Sequence, residues 1–129
     1  MDKRGYKNIN KKNIEQASIS TDEIRSILKG DSEKLIFHAQ KFSEKNLKGQ
    51  STASIRKIFT EIKRMKKYNK YDLDLMRAKL AYVSKRDKGL ASLADLLDQM
   101  IREVKEDSFK YFQDFFESIV AYFYKYGKE

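Results

Sequence analysis

The chain has 129 residues, with no cysteine, no proline and only five glycines. That is one domain's length, with 40% hydrophobic residues available for a core. The lack of thiols excludes a disulfide framework and a thiolate metal site, and so few turn residues argue against a β-rich fold. The net charge of +9 is unevenly spread: residues 1–53 carry 11 basic and 7 acidic side chains, residues 54–88 carry 12 and 4, and residues 89–129 carry 5 and 8. A basic middle beside an acidic last third points to a polyanion site on one part of the fold. No apolar run approaches the roughly 20 residues of a membrane span. The basic N-terminus is not followed by the apolar segment of a signal peptide, so the expected setting is the cytoplasm.

Residues 1–18, "MDKRGYKNINKKNIEQAS", are polar, basic and aperiodic, and are expected to form a flexible tail. A single helical domain is expected over residues 19–127. Thr21 is placed to cap a short helix over "DEIRSILK", with Asp22 and Glu23 in its first turn and Gly30 as its stop. Asp31 or Ser32 caps the next helix, "EKLIFHAQKFSEKNL", with Leu35, Ala39 and Phe42 on one face. Gly49 closes that connection, and Ser51 or Thr52 caps "SIRKIFTEIKRMKKYNK". There Ile55, Ile58, Phe59, Ile62 and Met65 recur at the spacing of a core-facing stripe. "YNKYD" reads as a break. Asp72 then starts a helix buried through Leu73, Met76, Leu80 and Val83, which ends at "KRDKG". A fifth helix uses Leu90, Leu93, Leu97, Met100, Ile101 and Val104. Asp107 or Ser108 caps the last, which runs to about Tyr126. The expectation is an all-α fold: a compact bundle of about five principal helices plus a short N-terminal one.

The cations of the middle segment fall in stripes. At about 100° per residue, Arg56, Thr60, Lys63 and Lys67 share one edge beside the apolar stripe. Lys57 and Arg64 lie further round, within reach of Glu61. On the next helix Lys79, Tyr82 and Arg86 share an edge away from Leu73, Met76 and Leu80, and Lys85 and Lys88 extend the charge. Crowded cations repel one another. A phosphate backbone relieves that repulsion and releases condensed counterions. The same pattern also fits a lysine-rich solvated face, since no fixed motif accompanies it.

The segment "SFKYFQDFFESIVAYFYKYG" holds nine of the sixteen aromatic residues. Phe109, Phe112, Phe116, Ile119, Val120 and Phe123 form a core stripe. Tyr111, Phe115, Tyr122 and Tyr126 form a second stripe, which is either buried in the bundle or offered to a protein partner. A base-stacking platform is the weaker reading, because this segment is net acidic.

No catalytic constellation is visible. His38 is the lone histidine, beside Phe37 and Ala39 on a helix, with no cysteine or second histidine to complete a metal set. No Gly-rich phosphate loop is present. The residues read as a binding protein with no cofactor and no metal, and not as an enzyme.

Four blocks in order, "KLIFHAQKF", "STASIRKIFTEIKRM", "LMRAKLAYVSKR" and the aromatic C-terminal segment, together resemble the small subunit of the type III-A CRISPR effector, the Csm complex. The likeness covers roughly residues 22–127 and includes the Ala121–Tyr122 pair near the end. It departs from the family at Ala78, before Lys79, where proline is common; that bears on where the helix starts. The resemblance implies an all-α bundle without catalytic activity. It implies several copies stacked in an inner filament beside the backbone subunits that hold the CRISPR RNA, from the large polymerase-like subunit toward the capping subunit, as part of antiviral defence. It further implies a basic face along target RNA paired to the CRISPR RNA, with RNA contact carried onto Arg56, Lys57, Lys79 and Arg86. Helix geometry extends that set to Lys63, Arg64 and Lys67. Two other readings stay open: a small helical DNA-binding module, which needs a recognition helix and usually a symmetric dimer, and a scaffold that binds only protein, its charge serving solubility.

Overall fold

The computed structural model describes residues 18–50 and 52–126. The expected tail lies outside these residues except for Ser18, as do Ser51, one of the two residues expected to cap the third helix, and the last three residues. Among the described residues six α-helices follow one another: α1 (Thr21–Ile27), α2 (Ser32–Asn46), α3 (Thr52–Arg64), α4 (Lys70–Arg86), α5 (Ala91–Glu103) and α6 (Phe109–Tyr126). A 3-10 turn, Lys88–Leu90, joins α4 to α5. No strand occurs among the described residues, and the all-α expectation holds.

The helix starts follow from side-chain caps, sometimes a residue or two from where they were expected. Ser20, not Thr21, caps α1, its hydroxyl accepting from the Glu23 N–H at 3.2 Å. Asp31 caps α2 by accepting from the Lys34 N–H at 3.1 Å. Asn69 caps α4 by accepting from the Asp72 N–H at 2.9 Å, so that helix starts at Lys70, two residues before the expected Asp72. Ala78 consequently lies well inside α4 and not in its first turn. Each such cap satisfies a backbone donor that the first turn leaves without a partner. After α1 the chain turns at Gly30 with φ +96°, and a Cβ there would lie 3.2 Å from the Tyr111 ring. Only glycine suits both the angle and the approach.

The core is built around α6. It packs most closely on α2 and then on α3, with α1 also against it, while α4 packs chiefly on α5. Neighbours on several sides explain why α6 is apolar almost all round. Phe112, Phe115, Phe116 and Phe123 are essentially inaccessible. The expected stripes of the other helices are buried with them: Leu35, Ala39 and Phe42; Ile55, Ile58 and Ile62; Leu73, Met76 and Leu80; Leu93, Leu97 and Met100. Phe59, Met65 and Val83 are only partly buried at the core's edge. Where α2 meets α6, the small, fully buried Ser43 donates its hydroxyl to the Ile119 carbonyl at 3.1 Å. A helical carbonyl has a second lone pair, so this bond ties the two helices together without breaking the ladder.

Candidate nucleic-acid interface

The site grows from two amphipathic helices that rest on different neighbours. Burial of Ile55, Ile58 and Ile62 fixes the rotation of α3, and its cations leave on two sides. On the side toward α6, the Arg56 guanidinium donates to the Tyr124 hydroxyl at 3.3 Å. Lys63 Nζ lies 3.0 Å from Glu117 Oε1 and 5.7 Å from the centre of the Phe59 ring. On the opposite side Lys57 and Glu61 face α4, where burial of Leu73, Met76 and Leu80 turns Lys79 and Arg86 toward them.

Between α3 and α4 runs an open groove of about 460 Å³. Its floor is Ile58, Met76, Leu80 and Val83, and its rim carries Ser54, Lys57, Glu61, Lys79, Tyr82 and Arg86. Lys79 Nζ crosses it to Glu61 Oε1 at 2.8 Å. The Arg86 guanidinium stands 5.5 Å from the centre of the Tyr82 ring, which is 63% exposed. Glu61 also lines a second recess with Arg64, Met65, Lys66, Lys67, Asn69 and Asp72. The two recesses therefore adjoin at Glu61, and together they hold five of the seven expected cations, all but Arg56 and Lys63: Lys57, Arg64, Lys67, Lys79 and Arg86.

Three expectations need correction. Lys67 does not continue the Arg56–Lys63 stripe, because α3 ends at Arg64. At that end Gln113 of α6 donates its amide nitrogen to the carbonyls of Ile62 (3.1 Å) and Met65 (2.9 Å). Arg56 and Lys63 are not a free phosphate-spaced edge, since Tyr124 and Glu117 engage them. Phe115 is not a surface anchor, because it is wholly buried. Its companions Tyr111, Tyr122 and Tyr126 are only partly buried: Tyr111 lies against Gly30, and the Tyr126 hydroxyl accepts from Gln40 at 3.3 Å.

The most exposed aromatic and aliphatic side chains lie elsewhere: Tyr71, Leu75 and Tyr82 on α4, Ile36 and Phe37 on α2, and Tyr124 on α6. Tyr71, Leu75, Ala78 and Tyr82 are spaced +4, +3 and +4, one line down α4 whose second half, Ala78 and Tyr82, borders the groove. The signal was present in the sequence as a second apolar stripe opposite Leu73, Met76 and Leu80, which a helix buried on one face does not need.

Elsewhere the charges hold the fold. Asp98 of α5 bridges Arg77 of α4 and Arg102 of its own helix, each at 2.7 Å. Burial pushes the Asp98 carboxyl up, but the hydrogen bonds from Arg102 and Arg77 outweigh it and hold the group below its usual range. His38 lies 2.8 Å from Glu23, which Lys34 also contacts at 3.1 Å, and these two bonds lower the Glu23 carboxyl. Among the described residues no group of three or more His, Cys, Asp or Glu is placed to hold a metal ion, and no helix is long and apolar enough to cross a membrane.

Fold and surface together define a small all-α module whose most distinctive surface is a cation-rimmed groove between two helices. The family model Csm2 Type III-A matches residues 29–129, more than three-quarters of the chain, and the chain belongs to that family, the small subunit of the type III-A Csm complex. The other subunits of that CRISPR complex are accordingly its partners. Neither the comparison with curated proteins nor that with solved structures found a match.

Proposed function

We propose that this subunit is a non-catalytic RNA-binding component of the complex, contacting the backbone of target RNA paired to the CRISPR RNA in the cytoplasm and stacking with further copies in an inner filament. The observation that carries the reading is a set of unneutralised cations. Lys57, Arg64, Lys66, Lys67 and Arg86 have no carboxylate within ion-pair distance among the described residues, yet they line two adjoining recesses. A phosphate backbone supplies the missing counter-charge. A sequence-indifferent, shape-following contact is what an A-form duplex admits, because its deep major groove hides the base edges. Stacking is supported by charge of the opposite sign on the last third of the chain, where Asp95, Glu106, Asp107 and Asp114 are exposed. Head-to-tail contacts set one surface against a different one, as a basic and an acidic side require.

The test is salt-dependent RNA binding by Lys57→Ala with Arg64→Ala. Affinity falls equally for unrelated sequences, and the slope of log K against log salt drops by roughly 0.7–0.9 for each cation removed. An unchanged slope would remove the RNA face from this side of the molecule. A footprint on one specific DNA duplex would favour the DNA-binding alternative, and no RNA retention even in the assembled complex would favour the protein-only scaffold.

A further inference from the structure

The groove between α3 and α4 has more than a charged rim. Its floor is apolar, formed by Ile58, Met76, Leu80 and Val83, whereas a surface that only follows phosphates needs no such floor. Its mouth carries Tyr82, 63% exposed, with the Arg86 guanidinium against its ring. A volume of about 460 Å³ falls within the roughly 300–1,000 Å³ of sites that take a small ligand. Flat aromatic and guanidinium surfaces beside cations are how proteins hold unpaired nucleotides, because every base has a face to stack and every nucleotide a phosphate to pair.

We infer that this groove is a binding slot for a single unpaired RNA nucleotide, its base against Tyr82 and the apolar floor and its phosphates on Lys57, Lys79 and Arg86. The inference rests on the RNA reading above and deepens it. A base held inside a duplex cannot enter, since its faces are covered by its neighbours. The slot therefore recognises a looped-out or terminal nucleotide, beside the contacts that Arg64 and Lys67 make with the paired backbone. Charge complementarity selects this occupant over an apolar peptide: among the described residues three cations surround the mouth and Glu61 is the one carboxylate there.

The test uses the full-length chain and two RNA probes of the same sequence, one a 2-aminopurine-labelled single strand and the other that strand fully paired. Tyr82→Ala weakens single-strand binding about tenfold, the worth of one stacked base. Its effect on duplex binding is smaller than on single-strand binding, and both salt slopes are unchanged, because no charge is removed. Tyr82→Phe, which keeps the ring, binds within twofold of the unaltered chain. Abasic substitution at the labelled position lowers wild-type affinity to that of Tyr82→Ala. Equal single-strand affinities for Tyr82→Ala and the unaltered chain, with a normal salt slope, overturn the slot and leave the backbone reading standing. Binding of neither RNA at low salt overturns both. If Tyr82→Ala impairs assembly with the other subunits while RNA affinity is unchanged, the groove belongs to a protein neighbour and the slot is overturned.

Discussion

The side-chain amide of Gln113 donates to the Met65 carbonyl at 2.9 Å, and the same nitrogen reaches the Ile62 carbonyl at 3.1 Å. A residue of the last helix thus caps the end of α3, giving the Met65 carbonyl a donor and the Ile62 carbonyl a second one beside the Met65 N–H at 3.2 Å. Gln113→Leu keeps most of the packing volume but leaves both carbonyls without this donor. Stability falls by about 1–3 kcal/mol, read as a lower urea midpoint at constant slope. A midpoint equal to that of the unaltered chain would show that water replaces Gln113 without cost.

Glu61 restrains the site that it borders. Its ion pair with Lys79 neutralises one of the groove's cations before any ligand arrives. Glu61→Gln frees that ammonium and removes a carboxylate that repels phosphate. RNA affinity at low ionic strength rises about three- to tenfold, and the gain shrinks as salt is added. A gain that persists undiminished at high salt would mean that something other than charge had changed.

Asp98 makes part of the stability pH-dependent. Its carboxyl sits below the usual range when folded, so the unfolded chain binds that proton more readily. The stability it contributes is complete above the ordinary aspartate value near about pH 4 and is lost as pH falls through the lower folded value. Asp98→Asn costs about 1–2 kcal/mol at neutral pH and flattens that part of the acid limb. Glu23, lowered by its bonds to His38 and Lys34, acts in the same direction. Urea titrations at a series of acid pH values separate the two carboxylates through their amide variants.

Phe115→Ala distinguishes a core residue from a surface anchor. Wholly buried in α6, it costs about 3–5 kcal/mol on truncation. The loss shows in the isolated subunit, with no partner present. A variant of unaltered stability that failed only in assembly would falsify the packing described for α6.

The apolar stripes were legible because each is a property of one helix: Ile55, Ile58 and Ile62 announce their burial by spacing alone. Caps were legible to within a residue or two, since Ser20, Asp31 and Asn69 each compete with neighbours of the same chemistry. What escaped depends on how helices meet. Nothing near Arg64 says that α3 stops there, because the group that receives its last carbonyls is 48 residues beyond Met65. The pairings Lys79–Glu61 and Lys63–Glu117 join helices whose relative rotation no single-helix pattern fixes. Phe115 was ambiguous for the related reason that a helix covered on several sides shows two apolar stripes, and spacing does not say which of them meets solvent.

The two basic helices rest on different supports, α3 on α6 and α4 on α5. The groove between them is therefore a seam between two packed blocks, and its width is set by how those blocks are seated and not by the geometry of either helix. Among the described residues the Lys79–Glu61 ion pair is the charged strap across that seam. A phosphate drawing on Lys79 would have to unfasten that strap as it bound. Under the proposed RNA reading, occupancy of the groove and the seating of the two blocks would then be coupled through that one ion pair.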